Sequence, residues 1–288
     1  MPVSQSEFVR IRGLRYHVRR WGDRHKPLLL LGHGFLDASA TFDDLAQGLL
    51  DVCQVVAPDW RGLGYSEWPV DGYWFADYIA DLDALVQHYA GDTAPIWLAG
   101  HSMGAQVVSL YAGLRAERVA RLIILDGLFI PDSAPSQSVT RYRRWLTQLR
   151  QPMRAKTYAS FAALAERVRI QHPQLSEARA LFVAHGWGAE DGKGRVRLQA
   201  DPRHRLNMPG LFRVEESMAI WREVRAPTLF IDGERSFGLT AVTADERAAR
   251  RACFGERQER LIANAGHMLH FDAPLATAQA MATFLQQT

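Results

Sequence analysis

Ile96-Trp97-Leu98-Ala99-Gly100-His101-Ser102-Met103-Gly104 is an apolar run of strand length that ends in a glycine-flanked turn and passes into the helical run Gln106 to Leu114. Strand, tight turn and helix in that order make half of a βαβ unit, and the same rhythm recurs on both sides. Leu28 to Leu31 ends at Gly32-His33-Gly34, Val55-Val56-Ala57 at Pro58-Asp59, and Leu122 to Leu125 at Asp126-Gly127. Short continuous apolar runs alternating with longer amphipathic ones predict the buried strands of a parallel sheet, hence an α/β fold. Tyr73 to Tyr89 reads as one of the intervening helices, with Tyr78, Leu82, Leu85 and Val86 on one face. Loops at the carboxyl ends of parallel strands open on a common crevice, so these four loops should share a ligand site. Upstream, Phe8 to Gly13 and Leu14 to Trp21 read as an antiparallel hairpin leading into the sheet.

The rhythm breaks at Pro131 and resumes at Ala226-Pro227, where Thr228-Leu229-Phe230-Ile231 is again a strand. The chain therefore divides into a core, 1–130 and 226–288, and an inserted segment, 131–225. The insertion carries helical patterning at Phe161 to Val168 and Ala178 to His185, then a Gly-rich turn region at Gly186 to Gly194. A long segment inserted after a strand, at the edge where ligands bind, is placed to act as a lid. Leu261-Ile262 reads as a last strand and Ala273 to Gln287 as a closing helix.

Composition narrows the function classes. With 288 residues, 48% of them hydrophobic, the chain can bury a sizeable core, and no apolar run approaches the length of a membrane span. Lys and Arg number 34 against 31 Asp and Glu, a net charge of +3, too small to suggest a nucleic-acid partner. A local basic stretch, Arg141 to Lys156, reads as the solvated face of a helix because Tyr142, Trp145, Leu146 and Leu149 repeat at helical spacing within it. Met1 to Arg10 lacks the apolar stretch of a secretory signal, which predicts a cytoplasmic location. Cys53 and Cys253 form neither a disulfide framework nor a metal-ligand spacing and read as buried free thiols.

Gly100-His101-Ser102-Met103-Gly104 has the G-x-S-x-G pattern in which small neighbours let a sharp strand-to-helix turn display a serine. A serine hydroxyl needs a base to become a nucleophile, and histidine is the usual one. His267, in Asn264-Ala265-Gly266-His267 after the last strand, is the candidate; His270 is its rival and reads as structural, as does His33 beside the first loop. Negative charge developing on an attacked carbonyl calls for two backbone N–H groups, which position assigns to Met103 and Phe35.

These motifs, with His33-Gly34-Phe35 and Asp59-Trp60-Arg61-Gly62-Leu63-Gly64-Tyr65-Ser66 in the same order, resemble the α/β-hydrolase superfamily. The chain is most similar to the serine hydrolase-like and haloalkane-dehalogenase-like branches that carry a helical cap. The resemblance implies a mostly parallel eight-stranded sheet with helices on both faces and a cap after the sixth strand. It disfavours dehalogenase chemistry, because that family has an aspartate where this chain has Ser102 and an aromatic where it has Met103. The chain departs from much of the superfamily at the acid of the triad: the position three residues beyond Gly233 is Ser236. Asp126, at the end of the strand after the elbow helix, matches the other arrangement the superfamily uses. Asp232 and Glu234 are the alternatives.

The reading that follows is hydrolysis of a carboxylic ester or related acyl compound, with no metal or organic cofactor. Lactone opening, C–C hydrolysis, acyl transfer or cofactor-free perhydrolysis could use the same machinery, and a small-molecule receptor could keep the fold. His33, Gly34, Trp60, Phe129, Trp145 and Trp187 are the candidate substrate contacts and suggest a hydrophobic small molecule, bound by a monomer or homodimer.

Overall fold

All eight strands of the sheet form in the computed structural model, which describes residues 4–287. Residues 1–3 and 288, which include the start of the Met1 to Arg10 stretch and the outer ends of the core segments, lie outside the described residues. The sheet strands are β1 (Gln5–Ile11), β2 (Leu14–Trp21), β3 (Leu28–Gly32), β4 (Gln54–Pro58), β5 (Ile96–His101), β6 (Val119–Leu125), β10 (Thr228–Gly233) and β11 (Arg257–Ile262), in the order β1-β2-β4-β3-β5-β6-β10-β11. The pairs β1/β2 and β2/β4 are antiparallel and the rest parallel, so the hairpin expected at the N-terminal end is the antiparallel edge of the sheet.

Uninterrupted apolar runs are required in the central strands because both faces are covered. Leu30, Val56, Leu98 and Ile124 point to one side, where they meet α2 (Phe75–Ala90) and α3 (Met103–Leu114). Their neighbours Leu29, Leu31, Val55 and Ile123 point to the other, against α1 (Asp43–Gln47) and α10 (Pro274–Leu285). Each such side chain contributes about 1.5–3 kcal/mol by leaving water. The outermost strand breaks the rule. β11 is six residues long, yet only Ile262 in it is buried. Its solvated Arg257, Glu259 and Arg260 hid all but Leu261-Ile262 from an apolar-run reading.

Between β6 and β10 the chain leaves the sheet to form four α-helices, α4 (Ser138–Leu149), α5 (Phe161–Gln171), α6 (Glu177–Trp187) and α7 (Val214–Trp221). α5 and α6 pack on each other through Leu164, Val168, Val183 and Ala184, and each starts on a serine, Ser160 or Ser176, whose hydroxyl caps its first turn. A small sheet of β7 (Thr157–Tyr158), β9 (Val196–Leu198) and β8 (Gly188–Glu190) lies among them. The Gly-rich stretch at Gly186 to Gly194 is therefore not all turn. Gly186 and Trp187 end α6, Gly188–Glu190 is a strand, and Asp191 closes the hairpin by accepting from the Lys193 and Arg195 N–H groups. In the basic stretch, α4 has no buried residue, as a solvated face should, although Arg141 reaches back to the carbonyls of Met208 and Gly210. Cys53 and Cys253 are buried and free. After β10 come α8 (Ala244–Arg251) and, beyond β11, α9 (Leu269–Asp272). No helix among the described residues is long and apolar enough to cross a membrane.

Candidate active site

Ser102 links β5 to α3 with φ 53° and ψ −112°, a left-handed conformation that costs an L-residue on the order of 1–3 kcal/mol. The turn can be this tight because its flanks lack side chains. A Cβ on Gly100 would stand 2.4 Å from the Gly104 backbone, and one on Gly104 would stand 2.3 Å from the Gly32 carbonyl. The Ser102 N–H is held by the Leu125 carbonyl at 3.0 Å. The hydroxyl is thereby presented above the carboxyl edge of the sheet, where the loops after β3, β6, β10 and β11 gather.

His267 reaches it from the loop after β11, its Nε2 lying 3.1 Å from Ser102 Oγ. Its Nδ1 lies 3.2 Å from Asp126 Oδ1. A carboxylate only accepts, so Nδ1 carries the proton and the Nε2 lone pair faces the hydroxyl. Asp126 is buried with φ 42° directly after β6, and its N–H bonds the Ile231 carbonyl at 2.8 Å. Two further donors hold its carboxylate: Gly233 N–H on Oδ2 at 3.0 Å and Ser236 Oγ on Oδ1 at 2.8 Å. Ser236, which stands three residues beyond Gly233, thus supports the carboxylate that comes from the end of β6. The alternatives are engaged elsewhere. Asp232 pairs with Arg251 at 2.5 Å, its carboxyl pushed up by burial against the opposing pull of that arginine. Glu234 accepts from the Asn264 N–H at 2.8 Å.

Residues 27–274 match the model of the alpha/beta hydrolase fold family. The chain belongs to that family. Within it, the chain is 26% identical to a serine hydrolase-like protein of Danio rerio, over 99% of this chain and 87% of that protein. It is 31% identical to a 3-hydroxybutyrate-oligomer hydrolase of Cupriavidus necator, over 82% of each. A hypothetical protein of Pseudomonas aeruginosa, 25% identical, superposes with a TM-score of 0.86 over the full length of both chains. This alpha/beta hydrolase is thus related to the serine hydrolase-like branch and is an enzyme of hydrolase type.

The other residues singled out by sequence fall into two groups. Gly34 brings the loop after β3 against the elbow, since a Cβ there would stand 2.8 Å from His101 Nδ1 and 3.2 Å from Ser102 Cβ. Phe35 follows it and is half exposed, while Met103 opens α3, so its N–H has no acceptor within the helix. Phe129 packs against His267, with ring centroids 5.4 Å apart. Trp145 and Trp187 line two separate cavities beside the site. His33 and Trp60, by contrast, are fully buried and line neither cavity. They stitch the loops after β3 and β4 together: Trp60 N–H donates to His33 Nε2, and Trp60 Nε1–H donates to the His33 carbonyl, both at 2.9 Å. As expected substrate contacts they are corrected to scaffold, because an indole without exposed surface cannot touch a ligand.

Behind the site lies a buried network of which the sequence announced only a structural His270. His101 Nε2 donates to the carbonyl of His267 at 2.8 Å and so fixes the backbone that carries the imidazole. Burial, with His270 and His267 nearby, holds His101 well below the usual histidine range, hence neutral. His270 bonds Asp37 at 3.0 Å, and Asp37 also accepts from Thr41 and from Trp187 of α6, which ties the insertion to the core. Burial alone would raise the Asp37 carboxyl; the bond and charge of His270 outweigh it and hold it below the usual carboxylate range. Asp37, His101 and His270 bring potential ligand atoms within 4.8 Å of one another, the one such group among the described residues. Each already holds a hydrogen bond that positions the loop of His267 or joins the insertion to it.

Proposed function

We propose that the chain is a carboxylic ester hydrolase that works through an acyl-enzyme, with Ser102 as nucleophile, His267 as base and Asp126 as the acid that orients it. The observation that carries this reading is the continuous hydrogen-bonded path from Ser102 Oγ through His267 to Asp126. Oγ attacks the ester carbonyl while its proton passes to Nε2, and the imidazolium formed is stabilised by Asp126. The N–H groups of Met103 and Phe35 receive the oxyanion; each such donor is typically worth a factor of about 10² to 10³. The C–O bond then breaks, and the departing alkoxide takes the proton from Nε2. Water attacks the acyl-serine in the second half, giving one proton through His267 back to Oγ and releasing the carboxylic acid. No step in this scheme calls on a metal or organic cofactor.

The apolar cavity of about 640 Å³ beside Met103 suits a hydrophobic acyl chain, with Trp145 at its wall. Residues 131–225 act as the lid over it. The 3-hydroxybutyrate-oligomer hydrolase relative adds support for an ester substrate. A panel of p-nitrophenyl esters of graded acyl length, run beside a set of lactones, tests the reading. Turnover of the esters with an optimum at intermediate chain length is expected. Lactone turnover with inert esters would move the assignment to a lactonase, and tight binding of a small molecule without any turnover would move it to a receptor.

A further inference from the structure

Two cavities flank Phe35, and they differ in chemistry. The first, of about 640 Å³, touches Met103, the neighbour of Ser102, and is walled by Trp74, Leu110, Trp145 and Ile220. The arginines at its border are engaged by the protein itself. Arg141 donates to the carbonyls of Met208 and Gly210, Arg203 to Asp201 and to the carbonyls of Pro69 and Val70, and Arg213 forms a longer ion pair with Asp132 at 3.9 Å. The second cavity, of about 350 Å³, touches Met268, the neighbour of His267, and is bordered by Lys156, Arg167 and Arg205. None of these three cations has a side-chain hydrogen bond or ion pair among the described residues. The one carboxylate in its lining, Asp37, is buried and already accepts from His270, Trp187 and Thr41. Three exposed cations from three different segments therefore border one small cavity, none of them in an ion pair among the described residues and the one carboxylate there committed to His270, Trp187 and Thr41, beside a cavity whose arginines are all engaged.

We infer that the second cavity receives an anionic group, a carboxylate or a phosphate, carried on the alcohol half of the ester, while the acyl half occupies the apolar cavity. The orientation follows from the proton. His267 Nε2 must protonate the departing oxygen, so the alcohol leaves on the histidine side, which is the side Met268 borders. This inference rests on the reading of Ser102 as nucleophile and adds the substrate class. Cations bordering a partly enclosed cleft raise the local concentration of an anionic substrate, an effect that salt weakens.

The test compares three hexanoate esters on the full chain: those of phenol, of 3-hydroxybenzoate and of 3-hydroxyphenyl phosphate, each rate normalised to that ester's hydrolysis by hydroxide. At low salt, kcat/KM for at least one anionic ester should exceed that for phenyl hexanoate roughly tenfold, through KM, and the advantage should shrink as salt is added. Which anionic ester gains tells carboxylate from phosphate. The combined variant Lys156→Gln, Arg167→Gln, Arg205→Gln should abolish the advantage and leave phenyl hexanoate turnover unchanged. In the same variant, competitive inhibition by 3-hydroxybenzoate or inorganic phosphate should disappear. Ser102-dependent turnover of phenyl hexanoate, with no preference for either anion and no effect of the triple substitution, would overturn the inference and leave the ester-hydrolase reading standing. Absence of turnover on all three esters, with Ser102 unreactive toward a fluorophosphonate, would overturn the reading itself and the inference with it.

Discussion

The elbow around Ser102 and the inserted helix α4 hold their side chains in opposite ways. Around the elbow every group is fixed several times over. Ser102 and Asp126 both sit at positive φ, glycines 100 and 104 admit no Cβ, and the Asp126 carboxylate has Gly233 N–H, Ser236 Oγ and His267 Nδ1 upon it. In α4 none of the twelve residues is buried, and Trp145 meets Trp74 across an open cavity wall. The difference separates two requirements. Reaction geometry tolerates displacement of only a fraction of an ångström, so it is carried by backbone locked in place; substrate fit tolerates exchange, so it is carried by side chains with few obligations. Substitutions in the first region should cost rate, and those in the second should cost selectivity.

Exchanging Asp126 breaks the comparison most severely. Asp126→Ala is expected to lower kcat by roughly 10³ to 10⁴ on a short ester, the loss typical when a triad histidine loses the acid that sets its tautomer. Asp232→Ala and Glu234→Ala should leave kcat within about threefold, because their partners are Arg251 and the Asn264 N–H rather than His267. The opposite ranking, measured by steady-state kinetics, would move the acid to the loop after β10. A sharper version relocates the charge. In an Asp126→Asn background, Ser236→Asp should recover at least about tenfold in kcat, since the hydroxyl it replaces lies beside the same oxygen.

The insertion should respond differently. Trp145→Ala is expected to raise KM for long-chain esters about tenfold, because the acyl chain would no longer have the indole to shield it from water, and to leave kcat on a short ester within about twofold. A matching fall in kcat on short esters would mean that the two regions are not separable.

The smallest effect concerns stability against pH. Burial holds His204 at about 4 in the folded chain, and it holds His33 and His101 below the usual histidine value as well. The unfolded chain therefore binds protons first as pH falls, and stability drops between about pH 6.5 and 4. For His204 alone the full loss is on the order of 3 kcal/mol. Urea midpoints at pH 7.5 and 4.5 should show a smaller decline for His204→Gln than for the parent chain; an equal decline would remove His204 as its source.

The legibility of the molecule follows the same division. The α/β class, the N-terminal hairpin and the insertion after β6 could be read because strands covered on both faces must be apolar throughout, as Leu28 to Leu31 and Ile96 to Ala99 are. The turn that displays Ser102 and the loop that brings His267 to it were readable because a sharp elbow demands small flanking residues, and Gly266 gives the loop a flexible approach. Other features left no local trace. His101 looks like any residue between Gly100 and Ser102, yet its bond to the His267 carbonyl spans 166 positions. Trp60 looked like a ligand contact, but only the fold shows that it is closed off beneath His33. The three cations bordering the second cavity, unpaired among the described residues, are spread along the chain and become a group only when α5 and the loops beside it assemble.

The central claim is that Ser102 is a nucleophile activated by His267. Labelling the full chain with a fluorophosphonate probe and locating the adduct by peptide mass spectrometry tests it most directly. The account predicts a single adduct on Ser102, slowed by roughly 10³-fold or more in His267→Ala and absent in Ser102→Ala. Undiminished labelling of Ser102→Ala at another residue, or labelling of Ser102 that His267→Ala leaves at full rate, would contradict it.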